Sequence, residues 1–138
     1  MIAHSEWKHD EVFEGIAENG NTIVLDGDSA HKHGPSPMEV VLMALCSCSS
    51  VDVVSILKKK RQELTGLRVT AVAEQSETPP RVFKQIKLTY AVSGRLSRKA
   101  VEDAVRLSKE KYCSVSAMLE KTAAIEYEIV YPGGVPEE

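Results

Sequence analysis

The chain has 138 residues, 43% of them hydrophobic and 27% charged, with a formal net charge of −3. That is enough for one domain with a real core. An acidic balance and few aromatics argue against nucleic acid as a partner, which calls for a basic face and stacking platforms. Three cysteines, an odd number, follow a start (Met1 to Glu6) that lacks a basic stretch leading into an apolar one. This predicts a cytoplasmic protein with free or redox-active thiols.

In chain order, Ile2–Trp7, Val12–Ala17 and Thr22–Leu25 read as strands, with a turn signal at Glu18-Asn19-Gly20-Asn21. Ser29 to Ser36, containing His31, His33, Gly34 and Pro35, reads as a loop. A helix is predicted from Pro37 to about Gln62. Ser36 caps it, Pro37 suits its first position, and Glu39 completes a capping box. Its Lys58-Lys59-Lys60-Arg61 end suits the helix dipole. The body is almost wholly apolar, with Val40, Val41, Leu42, Leu45, Val53, Val54, Ile56 and Leu57 expected in a core or an interface. The apolar run from Met38 to Cys48 is shorter than the roughly 20 residues of a bilayer span, so no membrane is expected.

Leu67–Ala73 and Val82–Val92 follow as long strands, broken by Pro79-Pro80 and expected to pair antiparallel. Ser97 caps a second helix from Arg98 to about Lys111, with Val101, Ala104, Val105 and Ser108 on its apolar stripe. Tyr112 to Val115 interrupts it, Ser116–Lys121 reads as a further helical turn, and Ala123–Tyr131 as a last strand. No repeat or linker appears. Residues 1–138 form one α+β domain, with antiparallel sheets packed on a long central cysteine-bearing helix.

Cys46 and Cys48 lie two positions apart on that helix, so their side chains point roughly 200° apart. They are not a chelating pair, and Cys46 is expected to pack as a small hydrophobe. His31-Lys32-His33 reads as a polar loop rather than a metal site. Neither a cofactor nor a metal is expected. Asp52 is on the face of Cys48 one turn later, where a carboxylate disfavours a thiolate unless a cation offsets it.

Gly34-Pro35-Ser36-Pro37-Met38-Glu39 leading into the helix, Cys48 eleven residues after Pro37, and Tyr112-Cys113-Ser114-Val115-Ser116 after the second helix together resemble the OsmC/Ohr family. These are the osmotically inducible and organic-hydroperoxide-resistance proteins, and the resemblance is closest to the YhfA-like branch. It covers nearly the whole chain. It implies an intertwined homodimer with sites at the subunit interface. It also implies a thiol peroxidase that reduces organic hydroperoxides at the expense of a dithiol, with Cys48 peroxidatic and Cys113 resolving.

Two positions depart from the pattern of the active peroxidases. They take an arginine from the N-terminal segment, and this chain has none before Arg61; Lys8, Lys32, His31 and His33 are the candidate substitutes. Their glutamate directly follows the proline, where this chain has Met38, with Glu39 one position later. The alternative reading is therefore a non-catalytic protein on the same fold that senses oxidation through Cys48 and Cys113 or binds a small apolar ligand.

Overall fold

The computed structural model describes residues 1–137. Strands β1 (Ala3–His9), β2 (Val12–Ala17) and β3 (Thr22–Asp26) form an antiparallel sheet in that order. After β3 the chain is fixed by Asp26. The Asp26 carboxylate accepts the main-chain N–H groups of Asp28 and His33 at 2.9 and 3.2 Å, and its own N–H donates to the Pro35 carbonyl at 2.9 Å. These bonds, that of Asp28 foremost, hold the Asp26 carboxyl below its usual range. Gly34 passes so close to β3 that a Cβ there would lie 2.5 Å from the Val24 carbonyl oxygen.

Helix α1 (Pro37–Lys59) starts as expected: Glu39 N–H donates to Ser36 Oγ at 3.2 Å, and Ser36 N–H donates to Glu39 Oε1 at 2.9 Å. Contacts divide the chain into two compact units, Met1–Leu42 and the segment from Met43 onward. The division falls inside this helix.

In the second unit α1 buries one stripe, Leu45, Ser49, Val53 and Leu57, spaced four apart. Met43, Val51 and Val54 on its other faces are exposed. By length and composition alone α1 is long and apolar enough to cross a membrane. The Met38–Cys48 run is too short to span a bilayer, but the apolar helix continues past Ser49 and Ser50 to Lys59. The helix also carries Glu39 and Asp52 and one stripe buried within the fold.

Strands β4 (Glu63–Gln75) and β5 (Phe83–Arg95) pair antiparallel, as expected, and run longer than the sequence pattern indicated. Helix α2 (Arg98–Leu107) is capped by Ser97 Oγ, which accepts the Ala100 N–H at 3.2 Å, and buries Ala100, Val101, Ala104 and Val105. A π-helical turn, Ser108–Tyr112, continues it, and α3 (Ser114–Leu119) begins two residues earlier than the expected turn. Strand β6 (Ala124–Val130) then pairs with β5 in parallel. The α+β class stands, but the sheets are not wholly antiparallel. The chain crosses over through α2 and α3, and such a crossover returns a strand in the direction of its neighbour.

Candidate active site

Cys48 sits half-buried on the α1 segment of the second unit, and Cys113 stands where the π-helical turn meets α3. Cys113 is held at two points. Its N–H donates to the Ser108 carbonyl at 2.8 Å, closing the π turn. Its Sγ accepts the Ser116 N–H at 3.4 Å. Its thiol lies close enough to that of Cys48 for the two to act on one another electrostatically. Only 3% of Cys113 is exposed. Burial is the chief reason its thiol is pushed up to about 11; the Ser116 N–H opposes the rise, while Cys48 and Asp52 add to it. Cys113 therefore keeps its proton at neutral pH.

Asp52 accepts a hydrogen bond from Ser108 Oγ at 2.8 Å. Ser108 Oγ lies 2.9 Å from Ser49 Oγ, which lies 2.6 Å from the Tyr90 hydroxyl on β5. Each hydroxyl has one proton. Because that of Ser108 goes to Asp52, Ser49 donates to Ser108 and Tyr90 donates to Ser49. Three buried hydroxyls thus point in series toward one carboxylate. Burial pushes the Tyr90 phenol up to about 12, and the contact with Ser49 opposes the rise. Among the described residues Asp52 makes no ion pair, so its partner is a hydroxyl where the sequence argument called for a cation.

The hydroxyl series was missed in the sequence. A serine inside a helix ordinarily bonds a carbonyl of the preceding turn, which Ser49 does not do. Ser50 does bond a carbonyl, that of Cys46 at 2.7 Å. Ser108 was read as part of an apolar stripe. The signal was present, since a serine inside a buried stripe needs a polar partner from another element. Ser108→Ala strands both Ser49 and the Asp52 carboxylate and is expected to cost about 2–3 kcal/mol. Tyr90→Phe removes only the far end of the series and should cost about 1 kcal/mol. Urea unfolding of the two variants checks the order.

Cys46 is half-buried, and burial pushes its thiol up. The remaining residues singled out in the sequence belong to the first unit. Glu39 is engaged by Ser36 in the capping box. Its carboxyl is held below the usual range, chiefly by that N–H. Lys8 lies 3.5 Å from Glu6 and 3.9 Å from Glu14. His31 Nδ1 donates to the Asp26 carbonyl at 3.1 Å, and the His33 ring stands edge-on to His9 at 5.4 Å. Lys32 lines a cleft with Asp10, Glu11, Asp26 and Asp28. Among the described residues no three His, Cys, Asp or Glu side chains converge as a metal-ligand set.

The model of the OsmC-like protein family matches residues 27–128. Protein YhfA of Escherichia coli strain K12 is 47% identical over 133 residues, covering 94% of this chain and 98% of that protein. A solved structure from Aquifex aeolicus VF5 superposes with a TM-score of 0.81 at 34% identity, covering 94% of this chain and 96% of that one. An organic hydroperoxide resistance protein OsmC from Legionella pneumophila does so with a TM-score of 0.68 at 16% identity, covering 93% of this chain and 94% of that one. At that identity the likeness is one of fold.

Proposed function

We propose that this chain, which belongs to the OsmC-like protein family, is a thiol-dependent organic hydroperoxide reductase with Cys48 peroxidatic and Cys113 resolving. The observation that carries the reading is a pair of interacting thiols with unequal surroundings. Cys48 is the more accessible sulfur, while Cys113 is buried and holds its proton. A hydroperoxide resistance protein is built on the same fold, so the fold accommodates this chemistry.

The Cys48 thiolate attacks the terminal peroxide oxygen. The O–O bond breaks, the sulfur becomes a sulfenic acid and the alkoxide leaves, taking a proton to become the alcohol. Cys113 then attacks the Cys48 sulfur, an S–S bond forms, and the hydroxyl leaves as water. A dithiol reduces the disulfide and restores both thiols.

The test uses tert-butyl hydroperoxide with and without dithiothreitol. With the dithiol, peroxide should be consumed over many turnovers. Without it, the three free thiols of the chain should fall to one. Slow loss of thiols with no turnover would sink the enzyme and favour the redox sensor, to which the missing arginine and the neighbouring Asp52 already point.

The reading includes a cytoplasmic homodimer. A reducing compartment keeps three free thiols reduced. The helix that buries only one stripe in its own chain leaves Val51 68% exposed and Met43 and Val54 beside it, an apolar face suited to a second copy. Sedimentation equilibrium should give twice the chain mass for wild type. The Val51→Arg, Val54→Arg double variant should dissociate, and a monomeric wild type overturns the dimer.

A further inference from the structure

The disulfide step sets a problem that the thiol pair alone does not solve. Cys113 must lose its proton to attack, yet it is nearly sealed from solvent. At a thiol value of about 11, roughly one chain in ten thousand would carry the Cys113 thiolate at pH 7. A buried acid of this kind needs a base built in beside it.

Three features bring Asp52 to that position. It lies one helical turn beyond Cys48, on the same face of α1. It is tied by Ser108 Oγ at 2.8 Å, and the carbonyl of the same Ser108 accepts the Cys113 N–H at 2.8 Å. One residue of the π turn thus anchors both the carboxylate and the resolving cysteine. The Ser108 bond also falls on Oδ2 alone, which leaves Oδ1 to take a proton.

We infer that Asp52 is the base of the resolving step, taking the Cys113 proton as the disulfide forms and passing it to the departing hydroxide. The inference rests on the peroxidase reading and adds a proton path to it. The balance closes without a further reactant: Cys113 S–H and Cys48 S–OH become the disulfide and one water, and Asp52 ends as it began. The Tyr90–Ser49–Ser108 series holds the carboxylate in place throughout. The titratable groups facing this site from the packed elements are Cys48 on α1, Cys113 before α3 and, through the hydroxyls, Tyr90 on β5. Cys46 on α1 and Tyr127 on β6, whose ring stands edge-on to that of Tyr90 at 6.0 Å, act on the same tyrosine.

The test follows a single oxidation by tert-butyl hydroperoxide. Cys48 sulfenic acid is trapped with dimedone and the Cys48–Cys113 disulfide is counted by mass spectrometry. Asp52→Asn should accumulate sulfenic acid and form the disulfide about 100-fold more slowly than wild type. Excess peroxide should then drive its Cys48 to the sulfinic acid. The slow step in this variant should speed up about tenfold per pH unit as hydroxide replaces the base, while the wild-type step stays much flatter from about pH 6 to about pH 9. Asp52→Glu keeps a carboxylate and should recover most of the rate.

Equal slowing in the Asn and Glu variants would tie the defect to packing and overturn the inference. So would disulfide formation in Asp52→Asn at the wild-type rate. If Asp52→Asn does not fold, a wild-type rate that itself climbs tenfold per pH unit overturns it. If wild type never forms sulfenic acid at Cys48, the peroxidase reading has failed and the inference falls with it. That outcome is distinct from a wild type that forms the acid and an Asn variant that resolves it normally.

Discussion

Cys48→Ser is expected to abolish hydroperoxide consumption, and Cys113→Ser to leave a single oxidation per chain with no turnover. The two results differ because the two sulfurs have different surroundings. A serine hydroxyl at position 48 is not ionised at neutral pH and cannot open the O–O bond, so turnover should fall by at least about a thousandfold. At position 113 serine leaves the first step intact and removes the thiol that resolves it. Cys46 cannot stand in, since it points roughly 200° away from Cys48 around α1. With one equivalent of peroxide and no dithiol, the Cys113→Ser variant should therefore lose one of its two remaining thiols and stop, with Cys48 at the sulfenic acid. Peroxide consumption under dithiothreitol, paired with a thiol count, separates the cases. Turnover by Cys48→Ser would transfer the chemistry to another residue, and full turnover by Cys113→Ser would mean that the external dithiol resolves Cys48 directly.

How far these arguments could be made from sequence depended on the range of the interaction concerned. The start of α1 was legible because Ser36 and Glu39 act over three residues, and the structure closes that capping box. The pairing of β4 with β5 was legible from two alternating runs and a proline-marked turn. The parallel entry of β6 was not, because its direction is set by the crossover through α2 and α3 and leaves no mark in Ala124–Val130. The same divide runs through the candidate site. Cys48 and Cys113 were singled out by resemblance to a family, and only the fold brings the two thiols near enough to act on one another. Ser49, Tyr90 and Ser108 come from three elements and join only when α1, β5 and the end of α2 are packed. Asp52 was noted as a neighbour of Cys48, but as an obstacle to its ionisation. Only the bond from Ser108, which is also bonded to Cys113, gives it a second role.

The largest effect on stability is expected at a residue remote from any cysteine in sequence, Gly94 near the end of β5. Its φ is +138°, a conformation that side chains rarely adopt. A Cβ there would lie 2.1 Å from the Glu63 carbonyl oxygen and 2.9 Å from the Thr65 nitrogen. Both atoms belong to the backbone of β4, at the place where the β4–β5 register shifts between Leu64 and Gly66. A main-chain obstacle cannot rotate away as a side chain can, so the sheet must part or Gly94 must change its dihedral. Gly94→Ala is expected to cost about 3 kcal/mol or more and to lower Tm by roughly 10 °C. Gly133→Ala is the matched control, since a Cβ there meets nothing within 4 Å, and it should stay within about 0.5 kcal/mol of wild type. Calorimetry on both variants decides, and a Gly94→Ala protein as stable as the control would mean that β4 and β5 do not pair in this register. The consequence reaches the site as well. Tyr90 lies four residues before Gly94 on the same strand, and α2, which leads to Ser108, begins four residues after it. A strand end that shifts to admit the methyl group moves the Tyr90 donor against Ser49. Gly94→Ala should then show slower disulfide formation even at temperatures where it remains folded.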